Sequence, residues 1–196
     1  DRQTIQVVIE TLAELNKSIV HDINKFGAKA VGLSGRDAEI LNVIKHTSEG
    51  DVGYVGEVTS VNTLPLKELT EFNRIPVVYP VGFDEKGEAY NVNADEAAAK
   101  IAIAMGVQKL MILTNVKGIL KDPPDEASLI SSLHVEDVQS LIDRKVISGG
   151  MIPKVRACIT ALQGGVKKAH IVDGRIGHSL LLEIFTDQGI GTEITL

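Results

Sequence analysis

The sequence has 196 residues, of which 44% are hydrophobic, so it can form one large domain or two small ones with a buried core. Its net charge of −6, and the absence of basic runs interleaved with aromatic residues, argue against a nucleic-acid surface. Cys158 is the only cysteine, which excludes a disulfide framework and a cysteine-based zinc site and fits a reducing compartment. No apolar run approaches the roughly 20 residues that span a bilayer, and no signal-peptide pattern is present, so we expect no membrane association.

Helices and strands alternate along the predicted chain. The first half predicts a helix over residues 5–19, strands over 30–33, 41–45 and 54–61, a helix near 64–72 and a strand over 75–79. A hairpin turn at 84–87 and an extended segment at 89–93 lead into a helix over 94–105. The remainder predicts a strand over 109–113, helices over 135–144 and 153–163, a strand over 169–172, a helix over 179–185 and a strand over 192–196. This order indicates an α/β fold.

The segment Asn91-Val92-Asn93-Ala94-Asp95 is the most informative motif, because it places two amides and a carboxylate where an extended segment enters a helix. Side chains alternate along an extended segment, so Asn91 and Asn93 project from the same side and can face one ligand. Asn93 and Glu96 have the spacing of a capping box, and Asp95 falls in the first helical turn. The alternative is that Asn93 only caps the helix and Asp95 is only a favourable charge there.

A second motif is Ser148-Gly149-Gly150-Met151-Ile152-Pro153-Lys154, where a glycine pair leads into a helix with proline in its opening turn. A cation such as Lys154 in the first turn opposes the helix dipole unless an anion binds the same helix end. A phosphate would be such an anion. The alternative is an exposed lysine beside an ordinary loop. Neither a Walker A loop nor a Gly-x-Gly-x-x-Gly motif occurs in the sequence.

Two loops follow predicted strands. The loop over residues 114–120 lies where ligands collect in open α/β sheets, and its residue types are unspecific by themselves. The loop Ser34-Gly35-Arg36-Asp37 is best explained as a plain turn with Arg36 and Asp37 paired on the surface. The five histidines have no metal-ligand spacing, so we predict no metal site and assign no histidine to catalysis.

In this order, the Asn91 to Asp95 motif, Leu113-Thr114-Asn115-Val116-Lys117-Gly118 and Gly149-Gly150-Met151-Ile152-Pro153-Lys154 resemble the amino acid kinase superfamily, and within it the N-acetylglutamate kinases. The resemblance implies a three-layer αβα sandwich with a mainly parallel open sheet. It implies one kinase domain, with residues of about 1–92 in the acyl amino acid lobe and about 93–196 in the nucleotide lobe. It also implies ATP-dependent phosphorylation of the side-chain carboxylate of N-acetyl-L-glutamate to an acyl phosphate, in arginine biosynthesis.

The resemblance assigns roles to individual residues. Lys154 and Asp95 are catalytic, the lysine as a charge near the transferring group and the aspartate as the group that orients catalytic lysines. Asn91 and Asn93 bind the N-acetyl amino acid. The implied nucleotide contacts are Thr114, Asn115, Gly118, Leu120, Gly149, Gly150 and Met151, with Mg²⁺ held mainly by phosphates and water.

The C-terminal segment from His178 to Thr192 resembles the arginine-regulated branch of these kinases, with His178, Glu183, Gly189 and Gly191 as part of an arginine site. Further implied properties are a homo-oligomer, a PII-type signalling protein as partner, and a location in the cytoplasm, or in the plastid stroma of a plant. A noncatalytic nucleotide- or arginine-binding relative, or a kinase for a related acyl amino acid, is the alternative.

The sequence departs from the superfamily pattern in two ways. In the superfamily, the segment upstream of the position of Asp1 contains a first strand with a catalytic lysine and a glycine pair, another glycine-rich loop and a substrate-binding arginine. We therefore expect this chain alone to be catalytically incomplete. Asn115 stands where the superfamily usually has aspartate, and Lys117 follows it.

Overall fold

The structure is a computed structural model that describes residues 1–48, 50–122, 124–186 and 189–196. The chain forms two compact units, Asp1–Met105 and Gly106–Leu196. The elements of the first unit are α1 (Arg2–Lys25), β1 (Ala30–Ser34), β2 (Leu41–Lys45), β3 (Val55–Val61), α2 (Leu64–Glu71), β4 (Ile75–Tyr79), β5 (Val81–Phe83), β6 (Ala89–Val92) and α3 (Ala94–Met105). Those of the second are β7 (Lys109–Thr114), β8 (Ser132–His134), α4 (Val135–Asp143), α5 (Met151–Gln163), β9 (Lys168–Asp173), α6 (Ser179–Phe185) and β10 (Thr192–Thr195).

The first unit combines a parallel strand pair with a small barrel. β1 and β4 pair in parallel, and α1 and α2 pack against them. β2, β3, β6 and β5 close into a barrel in that order. A Cβ atom added to Gly82 would lie 2.3 Å from the Val43 side chain, so the barrel needs glycine there. Its core is an apolar cluster that α2 and α3 complete, formed by Ile40, Leu41, Val43, Val58, Leu66, Tyr90, Val92 and Ala97.

The second unit is a four-stranded sheet in the order β7-β9-β10-β8, covered by helices. β9 runs parallel to β7 and antiparallel to β10, and β10 runs parallel to β8. Val155, Cys158 and Ala161 recur at helical spacing on α5 and are fully buried, because this face of α5 packs on β9 and β10. Burying a side chain such as Val155 contributes about 1.5–3 kcal/mol. Cys158 is therefore part of this packed face and forms no disulfide.

The structure confirms the α/β fold and corrects several elements. α1 extends over Arg2–Lys25, beyond the predicted residues 5–19, because Asp1 caps it and polar residues continue it. α5 begins at Met151 and not at Pro153, so the proline occupies the third helical position. Proline is tolerated there because an N–H in the first turn of a helix has no helical carbonyl to bind. β5, β8 and the closed barrel were not predicted. No helix within the described ranges is long and apolar enough to cross a membrane.

Candidate functional site

The asparagine motif of the first unit lies where β6 ends and α3 begins. Asn91 is a half-buried residue of β6, where its N–H donates to Tyr54 O at 3.0 Å. Asn93 caps α3, because its Oδ1 accepts hydrogen bonds from Asp95 N at 2.9 Å and Glu96 N at 3.1 Å. That leaves the Asn93 Nδ2 group as a donor for a ligand, so capping and binding are compatible roles.

The predicted capping box is only half correct. The Glu96 carboxylate accepts a hydrogen bond from Val58 N at 3.0 Å, which ties α3 to β3. It is therefore engaged in a tertiary contact, and the reciprocal bond to Asn93 N that defines a capping box does not occur in the described part of the chain.

A shallow depression of about 300 Å³ adjoins Asn93. Val52, Val55 and Gly56 give it apolar walls, while His46, Asn93 and Glu96 add polar groups. The His46 Nδ1 atom contacts the Glu57 carboxylate, and Ser48 Oγ lies 2.9 Å from the His46 Nε2 atom, so the imidazole is fixed in place. Apolar walls with a few polar groups are typical of small-molecule sites in general. Sequence reasoning did not identify His46 or Gly56, because no local pattern places them beside Asn93.

The nucleotide candidates of the second unit begin at the carboxyl ends of two parallel strands. Thr114 ends β7 and is the register partner of Asp173, which ends β9. Gly174 N donates to Thr114 O at 2.8 Å and ties the two strand ends together. Asn115 follows and is exposed, as a ligand-binding side chain at this edge would be.

The rest of this loop is fixed by β10. Ile119 N donates to the buried Thr192 Oγ1 at 2.9 Å. Gly118 has a φ of +146°, and a Cβ atom there would lie 2.7 Å from Thr192 Oγ1. Glycine is therefore required at residue 118 by the backbone and by Thr192, whatever the loop binds. Leu120 forms an isolated bridge with Leu129.

Two ion pairs lie at this edge, and sequence reasoning identified neither. Asp173 is 3% exposed and accepts hydrogen bonds from Arg175 N, Nε and Nη2 at 2.9, 3.0 and 2.8 Å. The Arg175 guanidinium, followed by the Arg175 backbone N–H and the charge of Lys117, lowers the pKa of Asp173 from 3.8 to about 2 despite burial. Lys117 Nζ lies 2.6 Å from a carboxylate oxygen of Glu126.

The glycine pair stands immediately before α5. Gly149 has a φ of +52°, and neither Gly149 nor Gly150 has an atom within 4 Å of an added Cβ, so both backbones are open to a ligand. Met151 N and Ile152 N donate to Ser148 O and Gly149 O. Lys154 lies in the first helical turns and is partly buried, and none of the first-turn residues is acidic.

The C-terminal candidates form a cluster around Glu183 that contains His170 and not His178. Glu183 Oε1 lies 2.7 Å from His170 Nδ1, and Oε2 accepts from Ile190 N and Gly191 N at 2.6 and 3.0 Å. Burial would raise the pKa of Glu183, but the Ile190 N–H, His170 and the Gly191 N–H together lower it. His178 lies exposed at the start of α6 with a φ of +61°. Gly189 is adjacent, since an added Cβ would lie 2.8 Å from Glu183 Oε2.

The loop after β1 differs from its predicted form. Ser34 N donates to Asp37 Oδ2 at 2.7 Å, and the Arg36 guanidinium lies 4.6 Å from the centre of the Phe83 ring. Arg36 therefore stacks on an aromatic ring, and Asp37 closes its own turn. The predicted surface pair of Arg36 and Asp37 is wrong. Among the described residues, no group of three or more His, Cys, Asp or Glu could hold a metal ion.

Comparisons with known proteins identify relatives. A model of the amino acid kinase family matches residues 1–173. The chain is 50% identical to the acetylglutamate kinase of Heliobacterium modesticaldum, covering 99% of this chain and 70% of the relative. It is also 50% identical to the acetylglutamate kinase of Caldanaerobacter subterraneus subsp. tengcongensis, covering 99% of this chain and 65% of that relative.

Two solved structures are similar. The structure of smu.665 from Streptococcus mutans has a TM-score of 0.84 at 27% identity, covering 100% of this chain and 73% of the other. N-acetylglutamate synthase from Neisseria gonorrhoeae, complexed with coenzyme A and L-arginine, has a TM-score of 0.74 at 27% identity, covering 86% of this chain and 38% of the other. This chain thus spans between 65 and 70% of the two acetylglutamate kinases compared. It belongs to the amino acid kinase family, in which its sequence groups with the acetylglutamate kinases.

Proposed function

We propose that the protein phosphorylates the side-chain carboxylate of N-acetyl-L-glutamate, with ATP as phosphoryl donor and an acyl phosphate as product. The observation that carries the proposal is the 50% identity to acetylglutamate kinases along 99% of the chain. The alternative of a noncatalytic relative is not favoured, because the two relatives that match 99% of the chain at 50% identity are acetylglutamate kinases. An acceptor other than N-acetyl-L-glutamate is addressed by the experiment below.

The chemistry needs no general base. A glutamate-type carboxylate has a pKa of about 4.3 and is already ionised at neutral pH. Catalysis then depends on aligning the carboxylate with the γ-phosphoryl group and on positive charge around the transferring group. Lys154, at the start of α5 after an open glycine pair, is our candidate for one such charge. Asp95 is proposed to orient catalytic lysines.

Substrate binding is assigned to the first unit. The Asn93 Nδ2 group and the half-buried Asn91 are proposed to donate hydrogen bonds to the acyl amino acid, and the depression beside Asn93 has room for a ligand of that size. The adenosine part of ATP is assigned to the loop over residues 114–120, and its phosphates to Gly149, Gly150 and Met151. Mg²⁺ would be held mainly by the phosphates and by water, since this ion keeps much of its hydration.

The experiment is trapping of the acyl phosphate as a hydroxamate, using the intact gene product, ATP and Mg²⁺. N-acetyl-L-glutamate should give hydroxamate, whereas L-glutamate and N-acetyl-L-aspartate should give little. A preference for either comparison acceptor would overturn the assigned substrate. ATP-dependent hydroxamate formed equally in the absence of an acceptor would show that no acyl phosphate was being measured.

Arginine is proposed as an inhibitor that binds at the cluster of Glu183, His170, Gly189 and Gly191. The Glu183 side chain is 5% exposed, and its carboxylate already binds His170, Ile190 N and Gly191 N, so its proposed role is to hold this segment in the form that receives arginine. Further support comes from the structurally similar N-acetylglutamate synthase that was solved with L-arginine. Kinase activity is measured at increasing arginine concentrations. Arginine should inhibit the wild type and His178→Ala equally, and Glu183→Gln much less. Loss of inhibition in His178→Ala with full inhibition of Glu183→Gln would return the site to His178.

A further inference from the structure

Asp173 is a buried carboxylate at the edge of the sheet where the loop over residues 114–120 begins. It is 3% exposed and accepts three hydrogen bonds, all from Arg175, two of them in bidentate form through Nε and Nη2. A bidentate pair between arginine and a carboxylate fixes orientation as well as distance. The turn over residues 173–175 is therefore rigid, although two thirds of the Arg175 side chain is exposed.

This rigid turn is bonded to the start of the loop over residues 114–120. Thr114 and Asp173 are register partners at the ends of β7 and β9. One residue further on, Gly174 N donates to Thr114 O at 2.8 Å. The position of Thr114 O, and of Asn115 after it, thus depends on the turn that Asp173 and Arg175 hold.

The loop is held from its other side as well. Lys117 Nζ lies 2.6 Å from a carboxylate oxygen of Glu126, in the short helical turn Glu126–Ser128. The charge of Lys117 also acts on Asp173, and that of Glu126 acts on Arg175, so the two ion pairs are electrostatically coupled. The four charges sum to zero. Both cations already pair with a carboxylate, so this set can hold the backbone in place.

We propose that Asp173 and Arg175 are positioning residues that hold the loop over residues 114–120 in the form that binds ATP. Lys117 then helps to fix the loop by pairing with Glu126, and it is not a phosphate ligand. This inference rests on the proposed function, because it assumes that the loop binds a nucleotide.

The size of the effect follows from the fraction of molecules whose loop is in the binding form. The dissociation constant measured for ATP rises as this fraction falls. If loss of the bidentate pair leaves the loop correctly placed in about a tenth of the molecules, the dissociation constant rises about tenfold. The Glu126 side chain is 71% exposed, whereas that of Asp173 is 4% exposed, so loss of the Lys117–Glu126 pair should change the dissociation constant less than about twofold.

The test is calorimetric titration of the protein with ATP and Mg²⁺, without an acyl amino acid. Asp173→Asn keeps the shape of the side chain but removes its charge, and it should raise the dissociation constant about tenfold. Arg175→Gln leaves Asp173 its hydrogen bond from the Arg175 backbone N–H, so its dissociation constant for ATP should lie between those of Asp173→Asn and the wild type. This variant replaces Asp173→Asn in the test if Asp173→Asn does not fold. Asp143→Asn changes an exposed carboxylate at the end of α4 in the same unit and should bind ATP as the wild type does.

Folding is monitored separately, so that a general loss of structure is not read as loss of positioning. At the titration temperature, the circular dichroism spectra of the variants should match that of the wild type. Unchanged ATP affinity in both Asp173→Asn and Arg175→Gln, with ATP bound by the wild type, would overturn the positioning role alone. Failure of the wild type to bind ATP would overturn the proposed function as well.

Discussion

Thr192 joins β10 to the loop over residues 114–120, and replacing it with valine tests that connection with little change in side-chain volume. The residue is fully buried, and its Oγ1 atom accepts a hydrogen bond from Ile119 N at 2.9 Å. Ile119 is itself 2% exposed, so no water can replace the lost acceptor without rearrangement. A buried N–H left without a partner costs about 1–3 kcal/mol. For a unit of this size, each kcal/mol lowers the melting temperature by roughly 4–8 °C.

The assay is urea unfolding followed by circular dichroism, supported by the melting temperature. Thr195→Val is the matched control, because it makes the same change at the partly exposed end of the same strand and should stay within about 0.5 kcal/mol of the wild type. Equal stability of Thr192→Val and wild type would refute the account, since it would mean that the Ile119 N–H finds another partner at no cost.

Three further predictions concern catalysis and acid stability. Lys154→Ala should lower kcat about 10²–10³-fold in the hydroxamate assay, because a charge at the transition state is lost, while Arg156→Ala on the exposed face of α5 should not. Asn91→Ala should raise KM for N-acetyl-L-glutamate more than it lowers kcat, since it removes a proposed substrate contact. The pKa of Asp173 is lowered from 3.8 to about 2, so its contribution to stability is present above pH 3.8 and is lost as pH falls toward 2. Urea midpoints measured from pH 5 to 2 should therefore fall more steeply for the wild type than for Asp173→Asn.

Features set by neighbouring residues could be predicted from the sequence. Asn93 caps α3 through hydrogen bonds to residues two and three positions later, so the start of this helix is visible locally. The turn before β6 is equally local, because Asp84 Oδ1 accepts from Lys86 N and Glu88 N, and Gly87 has a φ of +78°. Local hydrogen bonds of this kind depend only on residue type and spacing.

Features set by distant residues could not be predicted. β8 is three residues long and exists because β10, about sixty residues later, pairs with it. The contact of Thr192 with Ile119 joins residues 73 positions apart, and no periodicity indicates it. Glu183 pairs with His170 because β9, which carries this histidine, packs against α6, whereas His178 is nearer in sequence but is exposed at the start of the helix.

The structure explains two residues near Asn115 but not Asn115 itself. Its neighbour Lys117 pairs with Glu126, and Gly118 is required by Thr192, so two of the loop's residues are explained by the fold. Asn115 itself is exposed and remains the residue whose side chain is available to a ligand. The structure gives no reason for asparagine in place of aspartate.

The most direct test of the central claim is phosphorus NMR of the product formed from ATP and N-acetyl-L-glutamate carrying heavy oxygen in its side-chain carboxylate. The account predicts an acyl phosphate whose phosphorus signal shows the isotope displacement of a heavy bridging oxygen. A phosphorylated product without that displacement would place the new bond on another oxygen and contradict phosphorylation of the side-chain carboxylate.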